Sequence, residues 1–206
     1  MQKEVRINSL FGETIYQTHI QENKEINQEI KPHIESFVKA SPGSTAATTD
    51  VKGNTMFTDL EEARDNLHTD SKYQSLFSKL NMHISNFLKA KGYSQDKFDV
   101  HITKAWATYT VKDQHIASHK HTASHFSMVY YVENNEMGNI HFEKELAAQT
   151  GLFIPPTKEY IVDWNQFNFA SYIFPVRTGD FLIFPSGLLH YTETNTNDDA
   201  RISVSG

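Results

Sequence analysis

The chain has 206 residues, enough for one domain with a sizeable core, and 25 acidic against 19 basic residues give a formal net charge of −6. This balance gives no indication of a surface for nucleic acid or a membrane. The chain has no cysteine, which excludes disulfides, thiolate metal ligands and cysteine nucleophiles. The N-terminus lacks the apolar run of a signal peptide and no later run is long enough to span a bilayer, so we expect a cytoplasmic protein.

The first half of the chain shows helical periodicity. Apolar residues recur there at steps of three and four, which is typical of amphipathic helices. Asp70 and Ser71 favour a new helix start within the second helical region, and Gly92 favours its end. The predicted elements are a strand and turn at 5–20, a helix at Asn23–Ala40, a loop at 41–50 and a helical region from Asp59 to Lys91 that breaks near 68–71.

From Phe98 onwards the pattern changes to short runs rich in Val, Ile, Tyr and Phe that alternate with turn-forming residues. Short, regularly spaced strands predict a β-sandwich or barrel, here a double-sheet jelly roll. We expect a single domain over 1–206, with a mainly helical support region at 1–97 and the β core at 98–206. The predicted strands are 99–111, 126–132, 139–143, 152–154, 159–163, 169–176, 180–184, 188–194 and 201–205.

His119 and His121 form a candidate metal-binding pair directly before the strand predicted at 126–132. Histidines two apart on a strand point to the same face, and imidazole is a common ligand for iron, zinc, copper and nickel. The same pattern is compatible with a polar strand end or loop. His115 and His125 lie nearby and fit supporting or surface roles better than ligand roles.

His190 is the candidate third ligand from a distant segment. A glycine turn, the apolar strand 181–184 and a Pro-Ser-Gly turn precede it, so this histidine opens the next strand. A jelly roll can present a ligand in this way at its open end. The alternative is a single hydrogen-bonded histidine without a metal.

Arg201 and Ser203 follow His190 across a segment rich in turn formers, which predicts a hairpin between strands 188–195 and 200–206. Pairing of Asn195 with Ala200 would place Arg201 on the face of His190 and about 13 Å from it, at about 3.3 Å per residue. An arginine and a serine there could bind the far carboxylate of a metal-chelating dicarboxylate. The alternative for Arg201 is a surface ion pair with a nearby aspartate.

Taken together, these segments resemble the 2-oxoglutarate/Fe(II)-dependent oxygenases, in particular a group of small oxygenases from marine bacteria and their phages. The N-terminal Leu10-Phe11 and the two helical segments fit as well, so the resemblance covers nearly the whole chain. The matching segments are Trp106, Gln114–His121, Ser127–Tyr131, Gly138, Gly179–His190 and Arg201–Ser203.

The resemblance implies a double-stranded β-helix that uses Fe(II), 2-oxoglutarate and O2. His190 corresponds to the family's distal metal ligand, and Arg201 with Ser203 corresponds to the residues that bind 2-oxoglutarate. The implied reaction hydroxylates a substrate that the sequence does not identify, with decarboxylation of 2-oxoglutarate to succinate and CO2. Related enzymes place a polar aromatic residue on the strand before the first ligand, so Tyr109 is a candidate for the co-substrate pocket, and core packing is an equal alternative for it.

One position departs from the family pattern. The usual ligand set is two histidines and a carboxylate, and here the carboxylate position is His121. A neutral imidazole leaves the iron site one unit more positive. The pair His141 and Glu143 has the expected HxE form on a later strand and is an alternative ligand set, and Asp113 is a weaker source of a carboxylate.

Two other classes of protein fit the same sequence. A cupin-like three-histidine metal protein, either a dioxygenase or a small-molecule binding module, would not use 2-oxoglutarate and would not need Arg201. A non-catalytic jelly roll, such as a phage structural protein, would carry the histidines without a metal. The absence of a basic groove argues against nucleic acid as a partner, and the sequence does not indicate an oligomeric state.

Overall fold

The computed structural model describes residues 12–40, 54–55, 66–94, 96–97, 99–134, 138–144, 158–165 and 168–206. The helices are α1 (Asn23–Ala40) and α2 (Gln74–Ala90), with short 3-10 helices at Leu67–Thr69 and Ser71–Tyr73. No helix among the described residues is long and apolar enough to cross a membrane. The strands are β1 (Tyr16–His19), β2 (Asn54–Thr55), β3 (Trp106–Thr110), β4 (Phe126–Glu133), β5 (Ile140–Glu143), β6 (Ser171–Phe174), β7 (Asp180–Pro185), β8 (Leu189–Thr192) and β9 (Arg201–Ser205).

The helix predictions are confirmed over α1 and α2, whereas the first part of the predicted second helical region forms a β-bridge at Asn66 and the two short 3-10 helices. Helix α1 has the predicted bounds, and Ile26, Ile30 and Ile34 form its buried face. The predicted break before α2 is confirmed because the Asp70 side chain accepts a hydrogen bond from the Lys72 backbone N–H at 2.9 Å. Gly92 follows α2 with φ +81°, a conformation that favours glycine at helix C-termini. The predictions for 5–11, 41–50 and 59–65 lie outside the described residues.

The strands form two antiparallel sheets that face each other. The large sheet has the order β1-β7-β4-β9-β3-β2, and the small sheet has the order β6-β5-β8. An isolated bridge between His119 and His190 places the segment around His119 beside β8. The central strands β4 and β7 are buried on both faces, which explains why their sequences are apolar without alternation. This arrangement is the jelly roll, or double-stranded β-helix, that the sequence predicts.

The described residues form two apolar cores, one on each face of the large sheet. Both helices pack on the outer face, and Asn27 attaches α1 to β4 by donating to the Val132 carbonyl at 2.7 Å and accepting from the Tyr130 hydroxyl at 2.8 Å. The second core fills the space between the two sheets. Its buried members are Val129, Tyr131, Ile140, Phe142, Val176, Leu182 and Phe184.

The predicted hairpin between strands 188–195 and 200–206 is wrong. Strand β8 pairs with β5 in the small sheet, whereas β9 lies between β3 and β4 in the large sheet. Ile202 and Val204 belong to the core beneath the helices, and they reach it because β9 lies in the large sheet. The residues between the two strands therefore cross from one sheet to the other.

Two other predicted strands are shorter in the structure, and one predicted strand is not formed. The strand predicted at 99–111 is regular only over β3, and the one predicted at 169–176 is regular only over β6. The strand predicted at 159–163 is wrong because that segment forms turns and bends. Tyr160 and Val162 are exposed there and bury no apolar face. The strand predicted at 152–154 lies outside the described residues.

Ser186 holds the turn between β7 and β8, which leads to His190. Its hydroxyl is hydrogen-bonded to Ser127 Oγ at 2.9 Å and to Ser124 Oγ at 2.8 Å, and its carbonyl accepts the His121 backbone N–H at 2.8 Å. Ser186 is completely buried. Through its hydroxyl and its backbone carbonyl, Ser186 therefore attaches the segment that contains His121 to the turn that leads to His190.

The packing of α1 predicts the effect of truncating Ile30. Ile30 is completely buried against the large sheet, so Ile30→Ala should lower the free energy of unfolding by about 2–5 kcal/mol. Urea unfolding measures this change. Gln28, exposed on the same helix, is the control, and Gln28→Ala should stay within about 0.5 kcal/mol of the parent. Equal effects of the two substitutions would contradict the described face of α1.

The Ser186 hydrogen bonds predict a second loss of stability. Ser186→Ala leaves the buried Ser127 hydroxyl without this partner and should lower the free energy of unfolding by about 1–3 kcal/mol. Ser124→Ala is the control because Ser124 is exposed and can exchange its lost bond for water, so its loss should be smaller. The same urea titrations measure both variants. A larger loss in Ser124→Ala would show that the buried pair is not the main contact of this turn.

Candidate active site

His119 and His190 come together through their backbones. Each donates its N–H to the carbonyl of the other, at 3.0 and 2.9 Å, as in a hydrogen-bonded pair of an antiparallel ladder. Side chains of such a pair lie on the same face, and the two ring centroids are 4.2 Å apart. Two histidines from distant parts of the sequence are therefore positioned by regular strand geometry.

His121 completes the group two residues after His119. Its ring centroid lies 5.0 Å from that of His119 and 5.4 Å from that of His190. Each of the three rings offers one nitrogen, and these three atoms lie within 4.8 Å of one another. Among the described residues this is the only group of three or more His, Asp or Glu side chains with that spacing.

Two of the three rings have a defined tautomer. His119 Nδ1 lies 2.8 Å from the Ala117 carbonyl, and His190 Nδ1 lies 2.9 Å from the Leu188 carbonyl. A carbonyl oxygen can only accept, so each Nδ1 carries the proton and each Nε2 presents its lone pair. This hydrogen bonding orients a metal-binding imidazole through its second nitrogen.

His190 is buried, and His119 and His121 are half-buried, in an environment that keeps the three rings neutral. Burial, reinforced by the neighbouring imidazoles, lowers the pKa of His121 to about 4 and that of His190 to about 3. Burial also lowers the pKa of His119, against the hydrogen bond to Ala117. Metal ions bind the neutral form of imidazole, so the group is in its ligand form at neutral pH. Aromatic rings lie beside the group. The ring centroid of Phe184 is 4.8 Å from that of His190, and the ring centroid of Trp106 is 5.8 Å from that of His121.

The alternative ligands considered from the sequence do not join the group. His141 and Glu143 lie on the outer face of β5, where His141 contacts Glu193 Oε1 at 2.9 Å and Glu143 accepts from Ser118 at 2.8 Å. Phe142, between them, faces the interior, so this HxE pair points away from His190. The other three candidates, Asp113, His115 and His125, also lie outside the group.

Arg201 enters the space between the sheets from the opposite side. Its guanidinium donates from Nη2 to Thr192 Oγ1 at 2.7 Å and from Nη1 to the Glu193 carbonyl at 3.0 Å. Thr192 is two residues after His190 on β8, which places the guanidinium about 7 Å along the strand from the metal group. The guanidinium reaches this position from the large sheet and not from a neighbouring strand of the same sheet.

Arg201 is a buried cation without a carboxylate partner. The residue is only 5% exposed, and no carboxylate of the described residues forms an ion pair with it. The Glu193 carboxylate is near enough to attract the guanidinium, but it is hydrogen-bonded to His141 and to the Asn139 N–H and not to Arg201. Burial lowers the pKa of Arg201, although a guanidinium remains charged. An arginine has five N–H donors, so most of its binding capacity is available to an anion.

Gly138 and Tyr131 complete the surroundings of Arg201. A Cβ at Gly138 would lie 2.6 Å from Arg201 Cδ and 2.8 Å from Nη1, so only glycine leaves room for this side chain. Tyr131 is buried on the interior face of β4 and close enough to interact with the Arg201 charge. Ser203 shares the interior face of β9 with Arg201, since Ile202 and Val204 face the helices.

The structure does not bring Tyr109 to this site. Tyr109 packs against the core beneath the helices, on the face of β3 that also carries Ala107. Trp106, Thr108 and Thr110 alternate with it and face the interior. The placement supports packing, which the sequence left as an equal alternative for Tyr109. Tyr131 instead faces the interior near Arg201, and the sequence did not indicate this position because both faces of β4 are apolar.

Comparison with known proteins identifies the family to which this chain belongs. Residues 104–206, half of the chain, match the model of the family described as "Putative 2OG-Fe(II) oxygenase". No protein with a curated description matches the sequence significantly. The matched region contains the three histidines, Arg201 and all the strands from β3 to β9.

Several solved structures share the fold at low sequence identity. A prolyl-4-hydroxylase from Pseudomonas putida is 8% identical with a TM-score of 0.58, over 94% of this chain and 90% of that chain. The epimerase SnoN of nogalamycin biosynthesis, solved with Fe3+ and α-ketoglutarate, is 12% identical with a TM-score of 0.58, over 92% and 77%. HygX from Streptomyces hygroscopicus, solved with nickel and 2-oxoglutarate, is 11% identical with a TM-score of 0.54, over 93% and 80%.

The TM-scores establish a shared fold, and the family assignment comes from the match of the family model to residues 104–206. The family uses Fe(II), 2-oxoglutarate and O2. The chain belongs to the 2-oxoglutarate/Fe(II) oxygenase family and has its double-stranded β-helix fold.

Proposed function

We propose that this protein is a dioxygenase that hydroxylates its substrate and binds its metal and co-substrate through His119, His121, His190 and Arg201. The observation that carries the proposal is the buried guanidinium of Arg201, which has no carboxylate partner among the described residues. A buried charge is costly unless it is paired. A bound carboxylate at this position, about 7 Å along β8 from the histidines, would supply the missing partner.

The histidine group fits a ferrous ion in its donor chemistry. Neutral imidazole is a good ligand for iron, and three protein ligands leave coordination positions for small molecules. The hydrogen bonds from Nδ1 of His119 and His190 to backbone carbonyls fix the rings before metal arrives. Metal binding therefore needs little reorganisation of these two side chains.

The bound iron supplies the oxidising chemistry, in which one oxygen atom of O2 enters a C–H bond and the other enters succinate as 2-oxoglutarate loses CO2. The chain's own residues bind and orient the reactants. Arg201 pairs with the carboxylate of 2-oxoglutarate that lies away from the metal, and Thr192 holds the guanidinium in place. Tyr131 and Ser203 lie on the same interior faces and provide hydroxyl donors for that carboxylate.

The buried aromatic and apolar side chains limit the access of water. Phe184 and Phe142 face His190, and Trp106 lies beside His121. A dry site strengthens the attraction between Arg201 and an anion because the local dielectric constant is low. The same residues surround the position where a substrate C–H bond must approach the metal.

A second candidate function is a cupin-like three-histidine metal protein that does not use 2-oxoglutarate. The observation that favours it is the imidazole of His121 in the position of the usual carboxylate. The buried, unpaired Arg201 argues against it, since such a protein has no need for a second anion site at this distance. Binding of 2-oxoglutarate to the metal-loaded protein separates the two functions.

The Arg201 assignment predicts a selective loss of co-substrate affinity. Arg201→Ala should raise the Kd for 2-oxoglutarate by at least about 30-fold, since removing one partner of a buried charged pair costs about 2–5 kcal/mol. Tyr131→Phe should raise it by about 2- to 10-fold, the effect of one hydrogen bond. Anaerobic titration of the Fe(II)-loaded protein, followed by the visible metal-to-ligand charge-transfer band, measures each Kd.

Arg177 is the matched control for this experiment. It is an exposed arginine whose Nε lies 3.7 Å from Asp180 Oδ1, outside the interior. Arg177→Ala should leave the Kd for 2-oxoglutarate unchanged, and without 2-oxoglutarate all variants should bind the metal as the parent does. An unchanged Kd in Arg201→Ala would contradict the assignment. Absence of the band in the parent would support the three-histidine alternative.

The hydroxylase assignment predicts the fate of oxygen. Substrates can be screened by their stimulation of succinate release, and the reaction is then run under 18O2. We expect one labelled atom in succinate and one in the product, as hydroxylation requires. A product without label, formed with labelled succinate, would indicate another outcome such as epimerisation and would contradict hydroxylation.

A further inference from the structure

The candidate metal site contains no protein anion among the described residues. The only grouped ligands among these residues are three imidazoles, and imidazole binds a metal ion in its neutral form. The nearest part of the chain with an HxE pattern directs Glu143 to Ser118 on the outer face of β5. A divalent ion at this site would therefore keep its full charge of two units.

A second charge in the interior, that of Arg201, is also positive, whereas the buried carboxylate of Asp180 is hydrogen-bonded to His19. Arg201 is 5% exposed, and its guanidinium donates hydrogen bonds to the Thr192 hydroxyl and the Glu193 backbone carbonyl, both neutral groups. Glu193 directs its carboxylate outward to His141 and Asn139. With a divalent metal bound, the two positive centres share a dry space between the sheets, and two carboxylates of a small dicarboxylate would neutralise much of that charge.

We propose that the neutral ligand set makes metal retention in this protein depend on 2-oxoglutarate, more strongly than it would with a carboxylate at position 121. The inference rests on the proposed function and concerns the coupling between the two ligands. 2-Oxoglutarate strengthens metal binding because it brings the anionic oxygen that the protein does not provide. By thermodynamic linkage, the metal strengthens 2-oxoglutarate binding by the same factor.

The comparison with a carboxylate ligand follows from electrostatics. An aspartate at position 121 would stabilise the buried ion before the co-substrate arrives, and it would repel the chelating carboxylate afterwards. Both effects reduce the coupling factor. In the native chain neither effect is present, so the free site holds the metal weakly and the complete site holds it strongly. Metal loading would then follow the supply of co-substrate.

The coupling can be measured with Co(II), a divalent ion that is stable in air and quenches tryptophan fluorescence. Trp106 is the reporter, since its ring centroid lies 5.8 Å from that of His121. The other tryptophan, Trp164, is replaced in all proteins by Trp164→Phe so that one fluorophore remains. The Kd for Co(II) is determined without and with saturating 2-oxoglutarate, and the ratio of the two values is the coupling factor.

Two variants of His121 separate charge from ligand number. His121→Asp introduces an anion, and its coupling factor should be at least about tenfold smaller than that of the parent, which corresponds to about 1.4 kcal/mol. His121→Ala removes a ligand without adding charge. It should bind Co(II) more weakly under both conditions and keep a coupling factor within about threefold of the parent. Circular dichroism verifies that both variants are folded.

The outcomes distinguish this inference from the proposed function. Equal coupling factors in the parent and His121→Asp would overturn the inference and leave the proposed function intact. A coupling factor in His121→Ala as low as in His121→Asp would also overturn it, because ligand loss and not charge would then be responsible. If 2-oxoglutarate does not bind the Co(II)-loaded parent at all, the proposed function fails, and the inference fails with it.

Discussion

The candidate site depends on two backbone hydrogen bonds, those that His119 and His190 exchange at 3.0 and 2.9 Å. The segment around His119 forms only an isolated bridge, so its position is set by its contacts with β8 and with Ser186. Strand β8 also carries Thr192, which binds the Arg201 guanidinium. One short strand therefore determines the distance between the three histidines and the arginine, and a shift of β8 would displace both parts of the site.

Burial prepares both parts of the site for their ligands in opposite ways. It keeps the imidazoles neutral, so that they can bind a metal ion, and it leaves the guanidinium charged without an acidic partner among the described residues. Neutral histidines cost little in a dry interior, whereas an unpaired arginine is expensive. An anion that spans from the histidines to Arg201 removes that cost. The stability of the apoprotein is therefore lower than it would be with an apolar residue at 201, which is the expected cost of a preformed binding site.

The sequence predicted those features that depend on local pattern. The bounds of α1 follow from its isoleucine spacing, the end of α2 follows from Gly92, and the histidine group follows from a two-residue spacing together with the turn before His190. The hairpin prediction failed because the turn-forming residues 195–199 are equally compatible with a crossover between sheets. Only the long-range packing of Ile202 and Val204 beneath the helices decides that β9 belongs to the large sheet.

Tyr109 and Tyr131 show a second limit of prediction from the sequence. Strands β3 and β4 are buried on both faces, so alternation does not reveal which residues face the interior. Tyr109 faces the helices and Tyr131 faces Arg201, and this difference becomes visible only when the second sheet is in place. The signal that was available is the position of Tyr131 within the segment that resembles the family.

The central claim is that the three histidines and Arg201 form one site for a metal ion and 2-oxoglutarate. The most direct test is a crystal structure of the protein grown anaerobically with Fe(II) and 2-oxoglutarate. The account predicts Nε2 of His119, of His121 and of His190 on the metal, with one carboxylate of 2-oxoglutarate on the metal and the other on Arg201. A metal bound by Glu143 or another carboxylate, or 2-oxoglutarate bound without contact to Arg201, would contradict it.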